Sequence, residues 1–158
     1  MLKRIISGGQ TGADRAALDA ALELDFPCGG SCPVGRMAED GAIDARYPLS
    51  EVGGGYRKRT KQNVLDADAT VLFYSRYVSG GTETTLALCI KQDKPYKLID
   101  IEVVDEAQAA KLIRGLIDDF DVSVMNIAGP RESQCEGIYD FVKVSVMQLL
   151  KKERPRIR

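Results

Sequence analysis

Three short segments combine glycine with hydroxyl, amide and guanidinium side chains. They are Ser7-Gly8-Gly9-Gln10-Thr11-Gly12-Ala13-Asp14-Arg15, Ser79-Gly80-Gly81-Thr82-Glu83-Thr84-Thr85 and Ala128-Gly129-Pro130-Arg131-Glu132-Ser133. Glycine lets a ligand approach the backbone closely. Free N–H groups at a helix start point at an anion, and the helix dipole favours negative charge there. Arg15 and Arg131 can clamp a phosphate through paired N–H groups. Turns and N-caps use the same residue types with no ligand at all, so three such segments on one edge carry more weight than any one of them. Asp14 and Glu83 sit near helix starts, where a carboxylate can cap the helix, accept hydrogen bonds from sugar hydroxyls, or share a Mg²⁺ with a phosphate. They are also the candidate catalytic carboxylates. The chain has no histidine, which removes Ser-His-Asp and Cys-His catalysis, His-ligated zinc and the imidazole proton shuttle. Any general acid or base is then a carboxylate, Lys, Tyr or Cys.

The better-known anion fingerprints are not met. Gly9 and Gly12 match the last two glycines of G-x-G-x-x-G, but Ser7 stands where the first belongs, and no acidic residue ends the second strand to hold a ribose. No G-x-x-x-x-G-K-[ST] occurs. A stretch rich in glycine, proline and charge, residues 29–47, reads as a long loop, and loops of that length are uncommon unless they do something. If it folds back over the strand ends, Arg36, Glu39 and Asp40 become ligand contacts; otherwise it is a solvated Asp-Gly turn. The basic run Arg57-Lys58-Arg59-Thr60-Lys61 reads as a solvated helix face. Cys28, Cys32, Cys89 and Cys135 lack the two short chelating pairs of a four-Cys zinc site and read as free thiols.

The elements that would position these segments alternate. Strands are expected at Leu2 to Ser7, Phe26 to Cys28, Leu49 to Val52, Ala69 to Ser75, Tyr96 to Ile101 and Val122 to Ala128. Helices are expected at Ala13 to Leu24, Tyr56 to Asp66, Thr82 to Gln92, Asp105 to Phe120 and Gln134 to Lys152. The fourth helix turns Ala109, Leu112, Ile113, Leu116, Ile117 and Phe120 to one side, and the last turns Ile138, Phe141, Val142, Val146 and Leu149 inward. Strands alternating with helices imply βαβ units, hence an α/β fold: a three-layer Rossmann-like sandwich with a mostly parallel sheet. Residues 1–152 are expected to form one ligand-binding domain, with residues 153–158 a basic tail.

Bulk properties agree. The 158 residues carry 22 Lys+Arg against 23 Asp+Glu, a net charge of −1. That balance argues against nucleic-acid binding through a basic surface. No apolar run reaches the length of a membrane span, and no secretory signal opens the chain. A cytoplasmic protein with a small-molecule ligand is expected.

Four stretches resemble a known family: Ile5-Ile6-Ser7-Gly8-Gly9-Gln10-Thr11-Gly12-Ala13-Asp14-Arg15-Ala16-Ala17-Leu18-Asp19, Cys32-Pro33-Val34-Gly35-Arg36-Met37-Ala38-Glu39-Asp40-Gly41, Gly80-Gly81-Thr82, and Asn126-Ile127-Ala128-Gly129-Pro130-Arg131-Glu132-Ser133. They resemble the putative molybdenum carrier family, a circularly permuted branch of the SLOG group of Rossmann-like proteins. The resemblance runs from Ile5 to about Leu150. Wider relatives include molybdenum cofactor carriers, which hold a pterin cofactor without converting it, and lysine-decarboxylase-like phosphoribohydrolases, which cut the N-glycosidic bond of a nucleoside monophosphate. The resemblance implies a phosphorylated, nucleotide-like ligand over the glycine loops, with the molybdenum cofactor or a nucleotide as candidates, and a homo-oligomer. The phosphoribohydrolase motif P-G-G-x-G-T-x-x-E is matched at Gly80, Gly81 and Thr84. Ser79 replaces its proline, Glu83 its third glycine, and Ala87 its catalytic glutamate.

A binding or carrier protein is therefore the first expectation. Gly8, Gly9, Gln10, Thr11, Gly12, Gly80, Gly81, Thr82, Thr84 and Gly129 shape its anion site, Arg15 and Arg131 balance the charge, Arg36 joins as a ligand contact if the long loop folds back, and Asp14 and Glu83 hold hydroxyls or a metal. The alternative is a nucleotide N-glycosidase or phosphohydrolase that uses Glu83 or Asp14.

Overall fold

The computed structural model describes residues 1–153, so the expected basic tail lies outside the described residues from position 154 onward. The elements run β1 (Arg4–Ile6), α1 (Ala13–Glu23), β2 (Cys28–Gly29), β3 (Ser31–Pro33), β4 (Met37–Ala38), β5 (Gly41–Ala42), β6 (Ser50–Val52), α2 (Gly55–Asp66), β7 (Ala69–Tyr74), α3 (Gly80–Lys91), β8 (Tyr96–Asp100), α4 (Glu106–Phe120), β9 (Val124–Ala128) and α5 (Ile138–Glu153).

Five strands form the central sheet in the order β2-β1-β9-β7-β8, and every pairing in it is parallel. Ile5 lies opposite Cys28 on one side and Met125 on the other, while Thr70 pairs with Asn126 and Tyr96. The fold is a Rossmann-like three-layer α/β sandwich. Strand β7 shows how the sequence builds two buried faces with a period of two. Ala69, Val71 and Phe73 join α1, α4 and α5 in the main apolar core, whereas Thr70 reaches Asn126 on the opposite face. That second face lies under α2 and α3, where Val64, Leu88 and Cys89 make only a small apolar cluster.

The chain leaves β1 for β2 in one direction and β7 for β8 in the other. The return through α4 then inserts β9 between β1 and β7. This reversal opens a crevice at the carboxyl ends of β1, β9 and β7, the place where open parallel sheets bind ligands.

Four expectations need correction. Residues 29–47 are not one loop: β3 pairs in parallel with β6, and β4 and β5 form a small antiparallel hairpin. These pairings span only two or three residues each, too short to stand out in so Gly-rich and charged a stretch. The second strand is Cys28–Gly29, shifted toward the glycines. The last helix starts at Ile138, because the Glu132 carboxylate accepts the amides of Gly137 (2.7 Å) and Tyr139 (2.9 Å) and holds the preceding turn out of the helix. Phe120 is 56% exposed. It is the last residue of α4, just before left-handed Asp121 ends the helix beyond the core. Among the described residues no helix is long and apolar enough to cross a membrane.

Candidate functional site

A cavity of about 390 Å³ opens in the crevice. Its floor is Asn126 to Ala128 of β9, and its walls are the loop after β1, the first turn of α3, the loop after β9 and one face of α2. Gly8, Gln10 and Asp14 of the first glycine segment, Gly81, Thr82 and Thr84 of the second, and Gly129 and Arg131 of the third all line it. The three segments thus meet at one site. Their contact is close: a Cβ on Gly12, whose φ is +80°, would lie 2.4 Å from the Pro130 carbonyl oxygen. Glycine is required there by both backbone angle and space.

The loop after β1 is tied largely to itself. Ser7, in place of the first fingerprint glycine, donates its hydroxyl to the Asp14 carbonyl oxygen (2.8 Å) and accepts the Gly9 amide (3.4 Å). The Asp14 carboxylate accepts the Gln10 amide at 3.4 Å. The Gln10 side-chain oxygen accepts the amides of Thr11 (3.1 Å) and Glu39 (2.8 Å), and the Ala13 amide goes to Pro130 (3.3 Å). Asp14 therefore fills the part of the nest that a ligand anion would otherwise take. The first turn of α3 is different. Ser79 makes no side-chain cap, and the amides of Gly81 and Thr82 meet no acceptor among the described residues. A Cβ on Gly80 or Gly81 would meet nothing within 4 Å. Those amides suit an arriving oxyanion.

Three guanidinium groups line the cavity: Arg57, Arg59 and Arg131. Arg57 and Arg131 make no side-chain hydrogen bond or salt bridge among the described residues. Sequence reasoning missed both α2 arginines, Arg57 and Arg59, and the more deeply set is Arg59. Its side chain is 12% exposed, its Nη1 stands 3.8 Å from Asp14 Oδ2, and its Nε is buried without a hydrogen-bond partner among the described residues. It lies across Gly8, where a Cβ would come within 1.8 Å of Nη1. The helix that carries the supposedly solvated run in fact turns Tyr56, Arg59, Thr60 and Asn63 to the cavity. Their spacing of i, i+3, i+4 and i+7 is the signal that was available. Asn63 fixes the helix: its Oδ1 accepts the Ser31 amide (2.8 Å) and its Nδ2 donates to the Ser31 carbonyl (3.0 Å). Tyr56 is 53% exposed at the mouth, with Arg59 over its ring at 5.6 Å.

Asp14 is the one acid lining this cavity among the described residues. Burial pushes its carboxyl up to about 6, against the opposing pull of Arg59, the Gln10 amide, Arg15 and the Gly8 amide. Glu83 is exposed on the outer side of α3 and does not line the cavity, nor does Ala87, so Asp14 and Glu83 are not brought together. The remaining expected contacts lie outside the lining. Gly9 backs onto Leu49 and Ile43. Arg15 donates from Nε to the Gly9 carbonyl (3.0 Å) and from Nη1 and Nη2 to the Asp40 carboxylate (2.9 and 3.2 Å). Arg36 holds the carbonyls of Ile43, Asp44, Tyr47 and Leu49 at 2.7 to 3.2 Å. The hairpin does fold back over the strand ends, but Glu39 bonds Thr11 and the Ser133 hydroxyl (2.6 Å), which hold its carboxyl below the usual range.

A parallel Rossmann-like sheet with a cationic crevice at its strand reversal defines the class of protein. Within it, the chain belongs to the circularly permuted YpsA SLOG family, whose model matches residues 5–150. It is also similar to a solved structure from Syntrophus aciditrophicus SB named "Putative molybdenum carrier protein", with 40% identity over 95% of this chain and 93% of that one and a TM-score of 0.87. No curated protein matches.

Proposed function

We propose that this protein binds and carries a small phosphorylated ligand with a planar ring, of the nucleotide or pterin type. The observation that carries the reading is the meeting of Arg57, Arg59, Arg131 and the unpaired α3 amides around one cavity, with a single carboxyl among its described lining residues. A buried guanidinium with an unsatisfied N–H is costly unless a partner arrives, and an oxyanion beside Arg59 satisfies it. The about 390 Å³ volume falls within the roughly 300–1,000 Å³ usual for small-molecule sites. Tyr56 offers an aromatic face at the mouth.

The name of the 40% identical neighbour makes the molybdenum cofactor one candidate cargo. The donor set suits such a ligand through its phosphate and ring. No cysteine is among the described lining residues, so they offer the metal no thiolate. Native mass spectrometry of freshly purified protein, followed by denaturation, tests the reading. Release of a phosphate-bearing heteroaromatic compound supports it. Protein that carries no anion and takes up neither nucleoside monophosphates nor phosphorylated pterins contradicts it.

One observation favours a second reading. A carboxyl titrating near 6 inside a ligand cavity can exchange a proton near neutrality, so Asp14 suits acid–base chemistry on a nucleotide. A coupled assay for base release from AMP, CMP and GMP, with Asp14→Asn as the control, decides it: turnover abolished by that substitution makes the protein an N-glycosidase.

A further inference from the structure

Arg59 faces two claims. Its Nη1 stands 3.8 Å from the buried Asp14 carboxylate, too far for a hydrogen bond, and its Nε has no partner. Both side chains line the same cavity. An anion that reaches Arg59 comes to rest beside Asp14, in a space where two negative charges repel strongly. We propose that Asp14 is a specificity-determining residue of this site: it gives up Arg59 to the guest anion and takes up one proton as the anion binds. This rests on the anion site described above.

The groups facing Asp14 allow it. Arg59 comes from α2, Arg15 from its own helix, and the Gly8 and Gln10 amides from the loop after β1. Arg57 and Arg131 line the shared cavity from α2 and the loop after β9. No second acid is present among the described lining residues to accept the proton instead. Burial already pushes the Asp14 carboxyl up to about 6, and a neighbouring guest anion raises it further. The proton comes from solvent and stays on the carboxyl while the guest is bound; no bond to the guest forms or breaks. The site therefore selects on charge: it takes an anion readily below the titration of Asp14 and resists added negative charge above it.

The test uses inorganic sulfate, whose charge stays fixed between pH 5.5 and 8. Its dissociation constant is read from amide chemical-shift changes in the intact protein, with GMP as a second probe. At least tenfold weaker sulfate binding at pH 8 than at pH 5.5 is expected, one decade per linked pKa unit. The Asp14→Asn variant is expected to bind with a flat profile and at least tenfold more tightly than wild type at pH 8. Calorimetry of the wild type at pH 7, where the empty site is mostly ionised, in two buffers of different ionisation enthalpy gives the proton count directly, and net uptake of more than about half a proton supports the proposal even if the variant does not fold. Sulfate that binds with a wild-type profile flat within twofold, or with no proton uptake, overturns the role of Asp14 and leaves the anion site standing. Failure of both sulfate and GMP to bind at any pH overturns the anion site itself, and the inference with it.

Discussion

A buried carboxyl held loosely by a guanidinium is expensive to ionise, and Asp14 shows the consequence. Its carboxyl titrates at an ordinary 3.8 when unfolded and at about 6 when folded, chiefly through burial. The folded state therefore binds the proton more tightly, and stability falls as pH rises from about 4 to 6. The loss is absent below the unfolded value and complete above the folded one, at roughly 3 kcal/mol for two pKa units. Asp14→Asn is accordingly expected to raise the thermal midpoint of the empty protein at pH 8, with the gain shrinking toward pH 4. Melting curves at the two pH values check the sign. Arg131→Ala is expected to weaken phosphate-ligand binding more than tenfold, since a charge-assisted pair contributes about 1.5–3 kcal/mol. Unchanged affinity in a titration removes Arg131 from the site. Residue types alone did not separate the arginines left unpaired at the cavity from those held by the protein's own acceptors. Arg15 and Arg131 look equally suited to a phosphate, but Asp40, 25 positions later, pairs with the first. Arg36 is held by four backbone carbonyls that no sequence pattern announces.

At the scale of elements, apolar period marks helices and strands well wherever the core is apolar. Strand β7 and helix α4 are legible because Val71, Phe73, Ile113, Leu116 and Ile117 are buried with the expected spacing. Helix α2 is legible as a helix but not as a wall of the site, because its inward stripe is polar. Asn63 locks it to the short β3 strand by two hydrogen bonds to Ser31. Asn63→Ala leaves that amide and carbonyl unpaired, and a loss of about 2–4 kcal/mol in chemical denaturation is expected. Anion affinity should fall as well, because Arg57 and Arg59 lose their support. Gly12→Ala should cost about 2–4 kcal/mol through overpacking and a left-handed backbone, given the Pro130 oxygen at 2.4 Å. A variant as stable as wild type contradicts the close meeting of the two loops. The hairpin β4–β5 escaped notice because its strands are two residues long, although its Glu39 and Asp40 reach the partners that bind the strand ends together.

For the molecule as a whole, alternating strands and helices imply a parallel sheet, and glycine-rich turns after strands imply a busy carboxyl edge. The sheet order adds what the alternation lacks. The insertion of β9 between β1 and β7 is what gathers the three loops on one crevice, and no local pattern encodes that order. The basic face of α2 then completes the wall opposite. The central claim is that a phosphate is gripped there by Arg59, Arg131 and the first turn of α3. The most direct measurement is a ¹H–¹⁵N chemical-shift titration at pH 6 with a nucleoside monophosphate and, separately, its unphosphorylated nucleoside. The account predicts phosphate-dependent shifts concentrated at Gly8, Gly81, Thr82 and Arg131, at least a hundredfold weaker in the Arg59→Ala/Arg131→Ala double variant. Equal binding of the nucleoside, or shifts confined to another part of the surface, would contradict it.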